Sequence, residues 1–95
     1  MEKKNEAIFM QLVMGLQSSA WVMLGKIANP VTGKVEKNLE AAKATIDTLM
    51  MLKEKTKGNL TKVEEDYLNN TVNQLQLNYV EEKEKAGKEE EEKKE

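Results

Sequence analysis

The sequence contains no cysteine, no histidine and no arginine, and these absences exclude several kinds of chemistry. Metal sites built on thiolate or imidazole are impossible, as are Ser–His and Cys–His nucleophiles and disulfide bonds. No bidentate arginine fork is present for phosphate, carboxylate or guanine. No side chain has an ordinary pKa near neutrality. We therefore expect no catalytic residue, no cofactor and no metal ion, and we predict that the protein is not an enzyme.

Proline and aromatic residues are also scarce, with one proline and 4% aromatic residues. Lysine and glutamate supply most of the 34% charged residues, and both favour helix. The 95 residues suffice for one domain, and the net charge of −2 predicts no general attraction to nucleic acid and makes membrane binding unfavourable. A chain without cysteine suits the cytoplasm, which is the compartment we predict.

The charge divides the chain into two parts. Residues 81–95 contain eight glutamates and five lysines, whereas residues 1–80 are nearly neutral. We predict a single helical domain over residues 1–80. The charged segment 81–95 is expected to form either an extension of the last helix or a disordered tail.

Apolar periodicity predicts three helices, at about residues 5–28, 35–56 and 62–80. Asn5 is a candidate cap for the first helix. The segment from Asn29 to Gly33 has turn chemistry. Gly58 suits a left-handed helix end, and Thr61 with Glu64 forms the pattern of a capping box.

The first helix also has features of a targeting segment, since Lys3 and Lys4 precede an apolar stretch and small residues follow it. However, Glu2 and Glu6 offset the two lysines, and the helical pattern continues beyond the supposed cleavage site. We therefore favour an ordinary buried helix over a signal peptide. A transmembrane span is less favoured still, because polar residues are spread along the segment.

Connections of five or six residues favour antiparallel neighbours, so we predict an all-α, up-down-up three-helix bundle. The first helix is apolar over much of its circumference, which is more than one small bundle can bury. We therefore predict that a homodimer completes the bundle, with Met10, Met14 and Trp21 as candidate interface residues. The methionines indicate either an adaptable binding surface or ordinary packing.

Three other motifs give weaker indications of a functional site. Gly33-Lys34 lacks the remaining residues of a phosphate-binding loop. Asp47 is either a general base or metal ligand, or a surface carboxylate paired with Lys43. The lysines near the end of the second helix form either a basic patch or compensation for the helix dipole; they are Lys53, Lys55, Lys57 and Lys62.

Several strings together resemble a family of small bacterial proteins known only as a domain of unknown function. They are Asn29-Pro30-x-Thr32-Gly33, Asn38-Leu39-x-x-Ala42-Lys43, Ile46-Asp47-x-Leu49-x-x-Leu52, Glu54-Lys55-Thr56-Lys57-Gly58-Asn59-Leu60-Thr61 with Glu64, and Tyr79-Val80. The resemblance implies a short, soluble, cytoplasmic, all-helical protein without known catalytic residues or cofactor. Within the most specific string, Thr56 and Asn59 exceed what a helix corner needs, so they are further candidate interface residues.

We therefore expect a non-enzymatic interaction module whose first partner is a second copy of the chain, with another protein as a further candidate. The alternative is peripheral membrane or apolar-ligand binding through the first helix. No small-molecule substrate is identified.

Overall fold

The computed structural model describes the backbone of residues 2–94 and the side chains of residues 3–88. Three helices form the fold: α1 (Glu2–Met23), α2 (Leu39–Lys55) and α3 (Lys62–Lys94). The all-α prediction is confirmed, and no strand occurs among residues 2–94. Met1, where the predicted domain begins, and Glu95, where the predicted tail ends, lie outside the described residues.

The three helices run up, down and up. The Thr61 hydroxyl at the start of α3 donates to Glu6 Oε2 near the start of α1 (3.2 Å). Further along, Glu82 of α3 lies beside Lys26, just after α1. α1 and α3 are therefore parallel, and α2 runs antiparallel to both.

The hydrophobic core takes two buried residues from α1, Leu24 just after it, and three each from α2 and α3, at the spacing that keeps one helix face inward. Val35, before α2, and Met50, within it, are apolar but 64% and 42% exposed. Val63 of α3 is likewise 58% exposed. The core residues are Val13, Ala20, Leu24, Ala42, Ile46, Leu49, Leu68, Val72 and Leu75.

α1 ends at Met23, earlier than the expected end near residue 28. Gly25 has φ +79°, and the amides of Gly25 and Lys26 donate to the carbonyls of Val22 and Trp21, both at 3.0 Å. This pair of bonds is a Schellman motif, which needs a left-handed residue after the helix. The predicted cap at Asn5 is wrong, because α1 begins at Glu2 and includes Asn5.

The connection between α1 and α2 covers residues 24–38, so it is much longer than the predicted five or six residues. The predicted turn within it is confirmed, because Asn29 Oδ1 accepts from the Val31 amide (2.8 Å) and the Asn29 carbonyl accepts from the Gly33 amide (2.7 Å). α2 begins at Leu39 instead of near residue 35. Its start is fixed by Asn38, whose Oδ1 accepts from the Ala41 amide (3.1 Å).

The corner between α2 and α3 follows the sequence prediction closely. Gly58 has φ +85° just beyond the end of α2. The Thr61 amide donates to Glu64 Oε1 (2.7 Å), and the Glu64 amide donates to Thr61 Oγ1 (3.2 Å). The capping box is therefore confirmed, and it fixes where α3 begins.

α3 continues through the charged segment as far as Lys94, so residues 81–94 take the helix extension that the sequence left open as one of two alternatives. With 33 residues it is about 50 Å long, whereas α2 with 17 residues is about 26 Å long. α3 therefore extends past the rest of the bundle, and the molecule measures 59 × 28 × 16 Å.

Candidate functional site

Met10, Met14 and Trp21, the predicted interface residues of α1, lie along one flank of that helix. Gln17 belongs to the same flank by spacing, and its Oε1 accepts from the Tyr67 hydroxyl of α3 (2.9 Å). The flank is therefore turned toward α3. Met10 and Trp21 are half-buried, and Met14 is 54% exposed. Trp21 packs against the core.

A different surface of α1 carries apolar residues that are about half exposed. Five residues of α1 are alternately four and three residues apart, so they share one side of the helix. They are Ile8, Leu12, Gly15, Ser19 and Val22. We call this set the outer face of α1. Ile8 and Leu12 are 54% and 51% exposed, and a Cβ added at Gly15 would meet nothing within 4 Å.

The other two predicted residues, Thr56 and Asn59, are in the corner after α2. The Thr56 amide and hydroxyl both donate to the Leu52 carbonyl (3.0 and 2.6 Å). The Asn59 amide donates to the Thr56 carbonyl (2.9 Å), while the Asn59 side chain is exposed. Both residues therefore close the corner through backbone groups, and Thr56 also does so through its hydroxyl.

A groove of about 650 Å³ lies between the C-terminal half of α2 and the first half of α3. We call it the α2–α3 groove. Its apolar lining includes Leu60, Leu68 and Val72, with Met50 and Met51 from α2. α3 adds three side-chain amides, from Asn69, Asn73 and Gln76. Apolar walls with a few polar groups are typical of ligand sites.

Charges of both signs stand around the α2–α3 groove. Two lysines and three acids belong to its lining, so the charges nearly balance. Asp47 is exposed there, as are the other four. Among the residues that the structure describes, no group of three or more acids is placed to hold a metal ion. The charged lining residues are Asp47, Lys53, Glu54, Lys57 and Glu65.

Glu82 joins α3 to the long connection. Its carboxylate lies 3.5 Å from Lys26 Nζ, 3.5 Å from Lys37 Nζ and 3.7 Å from Lys85 Nζ, and Glu82 is 7% exposed. Burial by itself raises the pKa of the Glu82 carboxyl, but Lys37, Lys26 and Lys85 together hold this pKa below its ordinary value. We call this group the Glu82 clasp.

A family model described as a domain of unknown function (DUF1844) matches residues 6–81. The chain belongs to this DUF1844 family. No curated protein and no solved structure matches the chain. The matched range includes the outer face of α1 and the α2–α3 groove, and it stops one residue before Glu82.

No helix among the described residues combines the length and the apolar character needed to cross a bilayer.

Two of these surfaces carry sequence signals that the analysis of periodicity missed. The outer face of α1 is visible as the alternating spacing of four and three residues from Ile8 to Val22. Glu82 continues the inward positions Leu75 and Tyr79 at steps of four and three residues, so its place on the inner side of α3 follows from the helix period. The groove has no comparable signal, because its walls come from two helices.

Proposed function

We propose that this protein is a non-enzymatic interaction module that forms a homodimer through the outer face of α1. The proposal is supported chiefly by one observation. Two half-exposed apolar residues, Ile8 and Leu12, adjoin Gly15, where the surface is open. Ser18 and Ser19, which follow, are also small and exposed. A second helix can approach closely where side chains are small.

The order of large and small residues suits two copies of α1 that cross antiparallel at Gly15. In such a two-fold pair, facing residues have numbers that add up to 30. Ile8 then faces Val22 of the second copy, and Leu12 faces Ser18 of the second copy. Leu12 therefore meets a small residue, Ile8 meets the apolar Val22, and the same patch serves both protomers, as an isologous interface requires.

The surface area of the protomer also favours association. A compact monomer of 10.8 kDa is expected to expose about 5,500 Å². This chain exposes 7090 Å². The overhang of α3 accounts for part of the difference. A standard interface needs about 800 Å² from each partner, so the available surface is sufficient.

Size-exclusion chromatography with light scattering tests the proposal at micromolar concentration. We expect the mass of a dimer for the full chain. Gly15→Leu places a bulky side chain at the crossing point, and we expect it to give a monomer. An added Cβ at residue 15 meets no neighbour within 4 Å, and leucine is a better helix former than glycine, so we expect the monomer to stay folded.

Gly87→Leu is the matched control, because Gly87 is also a helical glycine with open space around its added Cβ. We expect this variant to remain dimeric. A monomeric full chain contradicts the proposal. So does a Gly15→Leu variant that stays dimeric.

The second candidate function is peripheral membrane binding through the same helix. The observation in its favour is that exposed Lys3 and Lys4 precede the exposed apolar residues Ile8 and Leu12. The small and polar centre of the outer face offers little apolar area to a bilayer, so we favour the dimer and place the protein in the cytoplasm. Co-sedimentation with neutral and with anionic vesicles separates the two functions, and binding to neither eliminates the membrane.

A further inference from the structure

We infer that the α2–α3 groove binds an extended, uncharged peptide segment of another protein. The inference rests on the protein-binding part of the proposed function, but it does not require pairing through α1. It assigns a second surface, on the opposite side of α2 from the contacts with α1.

The first observation is a line of incompletely used amides on α3. Asn69, Asn73 and Gln76 are four and three residues apart, so they lie on one side of the helix. No donor among the described residues reaches the buried Asn69 Oδ1. Gln76 Nε2 donates to Met50 Sδ (3.2 Å), which is a weak acceptor. Both amides therefore lack a strong partner.

The second observation is the spacing of these amides. Four helical residues separate Asn69 from Asn73, which corresponds to about 6.0 Å along the axis of α3. In an extended chain, peptide groups that face the same way repeat every two residues, or about 6.7 Å. A carboxamide can donate and accept at once, as a peptide group does. One peptide group can therefore pair with Asn73, which is exposed, and the next can pair with Asn69 once that side chain rotates to bring its buried Oδ1 to the surface.

This pattern argues against other occupants. An alkyl chain would bury the amides without hydrogen bonds, which is unfavourable. A helix has already paired its own backbone groups, so it presents few of them to the amides. An extended peptide supplies donors and acceptors along its length, and its alternate side chains point to the groove floor of Leu68 and Val72.

The size and charge of the groove define the segment further. The lining residues of α2 run from Asp47 to Glu54, seven residues or about 10 Å along the helix axis. That length corresponds to about three extended residues, and the corner after α2 continues the lining. Two lysines against three acids leave the lining almost balanced in charge. Charge complementarity therefore favours an uncharged segment and disfavours nucleic acid or a strongly acidic chain.

Two methionines make one edge of the groove adaptable. Met50 and Met51 are 42% and 44% exposed beside it. Methionine side chains rearrange easily and suit binding sites that accept related sequences. We therefore expect aliphatic residues at alternate positions of the peptide, without a single fixed sequence.

The experiment is a selection of random heptapeptides displayed on phage against the full chain, followed by synthesis of the enriched peptide. Fluorescence anisotropy then measures its affinity. We expect Asn73→Ala to weaken binding about fivefold, because one hydrogen-bond partner is lost. Asn70→Ala is the matched control, since Asn70 is exposed on α3 and does not line the groove. We expect it to bind as the full chain does.

N-methylation of the peptide backbone tests the pairing itself. Methyl groups on alternate peptide nitrogens are expected to abolish binding in one register and to be tolerated in the other. The absence of any enriched peptide overturns the inference, as does equal binding by Asn73→Ala or equal tolerance of both methylated registers. Gly15→Leu is expected to bind the peptide normally, which separates failure here from failure of the proposed dimer.

Discussion

Glu82 Oε2 lies 3.5 Å from Lys37 Nζ, and this contact joins α3 to the connection between α1 and α2. Lys26 reaches the other carboxylate oxygen at the same distance, so both ends of the long connection are attached to one side chain. The contact lies in the part of the sequence that composition alone describes as a charged tail. The first two turns of that segment therefore belong to the folded unit.

The Glu82 clasp predicts a pH dependence with a definite sign. The three lysines place the pKa of Glu82 in the folded protein below its ordinary 4.5. The carboxylate therefore contributes stability above pH 4.5, and this contribution is lost as the pH falls through the folded pKa. We expect Glu82→Gln to lower the free energy of unfolding by about 1 kcal/mol at neutral pH and by progressively less in acid.

Urea unfolding followed by circular dichroism measures this difference. Glu84→Gln is the control, because Glu84 is exposed on the same helix and does not touch the lysines of the clasp. A Glu82→Gln effect that does not change between neutral and acidic pH would contradict the assignment.

The capping box predicts a loss of stability at a single hydroxyl. Thr61→Ala removes the acceptor for the Glu64 amide and the donor to Glu6, so we expect a loss of about 1 kcal/mol in the free energy of unfolding. Thr48→Ala, at an exposed position inside α2, should change stability little. Chemical denaturation of the two variants decides the matter, and equal stabilities would show that the cap is unimportant.

Gly25 and Gly87 predict effects of different sign for the same substitution. Gly25 has φ +79°, so Gly25→Ala should cost about 1 kcal/mol because a Cβ disfavours the left-handed conformation. Its Cβ would lie 3.5 Å from Lys37 Cβ, an ordinary contact, so crowding is not the cause. Gly87 is helical and open, and Gly87→Ala should leave stability unchanged or raise it. Thermal unfolding compares the two, and a harmless Gly25→Ala would refute the cap.

Asn69 predicts a stabilising substitution. Its Oδ1 is buried and finds no donor among the described residues, which is unfavourable for the folded state. Asn69→Leu removes this atom and adds apolar contact beside Leu68 and Val72, so we expect a gain of about 1 kcal/mol in the free energy of unfolding. If urea denaturation instead shows a clear loss, the amide makes a contribution to folding that its contacts do not reveal.

The parts of the fold that depend on local chemistry were predictable from the sequence. The capping box of Thr61 and Glu64, the C-cap at Gly58 and the core positions of α3 all follow from residues within one or two helical turns. Three helices in an all-α protein follow from the same periodicity. Each of these features depends on residues that are close in the sequence and does not depend on contacts between helices.

The sequence predictions fail where a strong local signal ends a longer apolar periodicity, or where the residue that packs beside a side chain is distant in the sequence. The apolar pattern of α1 continues to Ile27, but Gly25 ends the helix at Met23 because it forms the Schellman motif. Glu82 is buried only because Lys26 and Lys37, more than 40 residues earlier in the chain, pack beside it. The α2–α3 groove was not predictable for the same reason, because its lining residues on α2 and on α3, such as Asn69, come together only after folding.

The absence of native cysteine makes disulfide trapping the most direct measurement of the proposed interface. Under mild oxidation, Gly15→Cys should give a disulfide-linked dimer, because residue 15 faces itself across the two-fold axis and cysteines must come within about 7 Å to bond. Ile8→Cys alone should remain unlinked, but a mixture of Ile8→Cys and Val22→Cys chains should form a linked heterodimer. Gly87→Cys serves as the control for random collision.

The pattern of linked bands on a non-reducing gel then decides between geometries. We predict disulfide linkage for Gly15→Cys and for the mixed chains. Only background linkage is expected for Ile8→Cys alone and for Gly87→Cys. Linkage of Gly15→Cys no faster than that of Gly87→Cys, or efficient linkage of Ile8→Cys to itself, would contradict an antiparallel homodimer centred on Gly15.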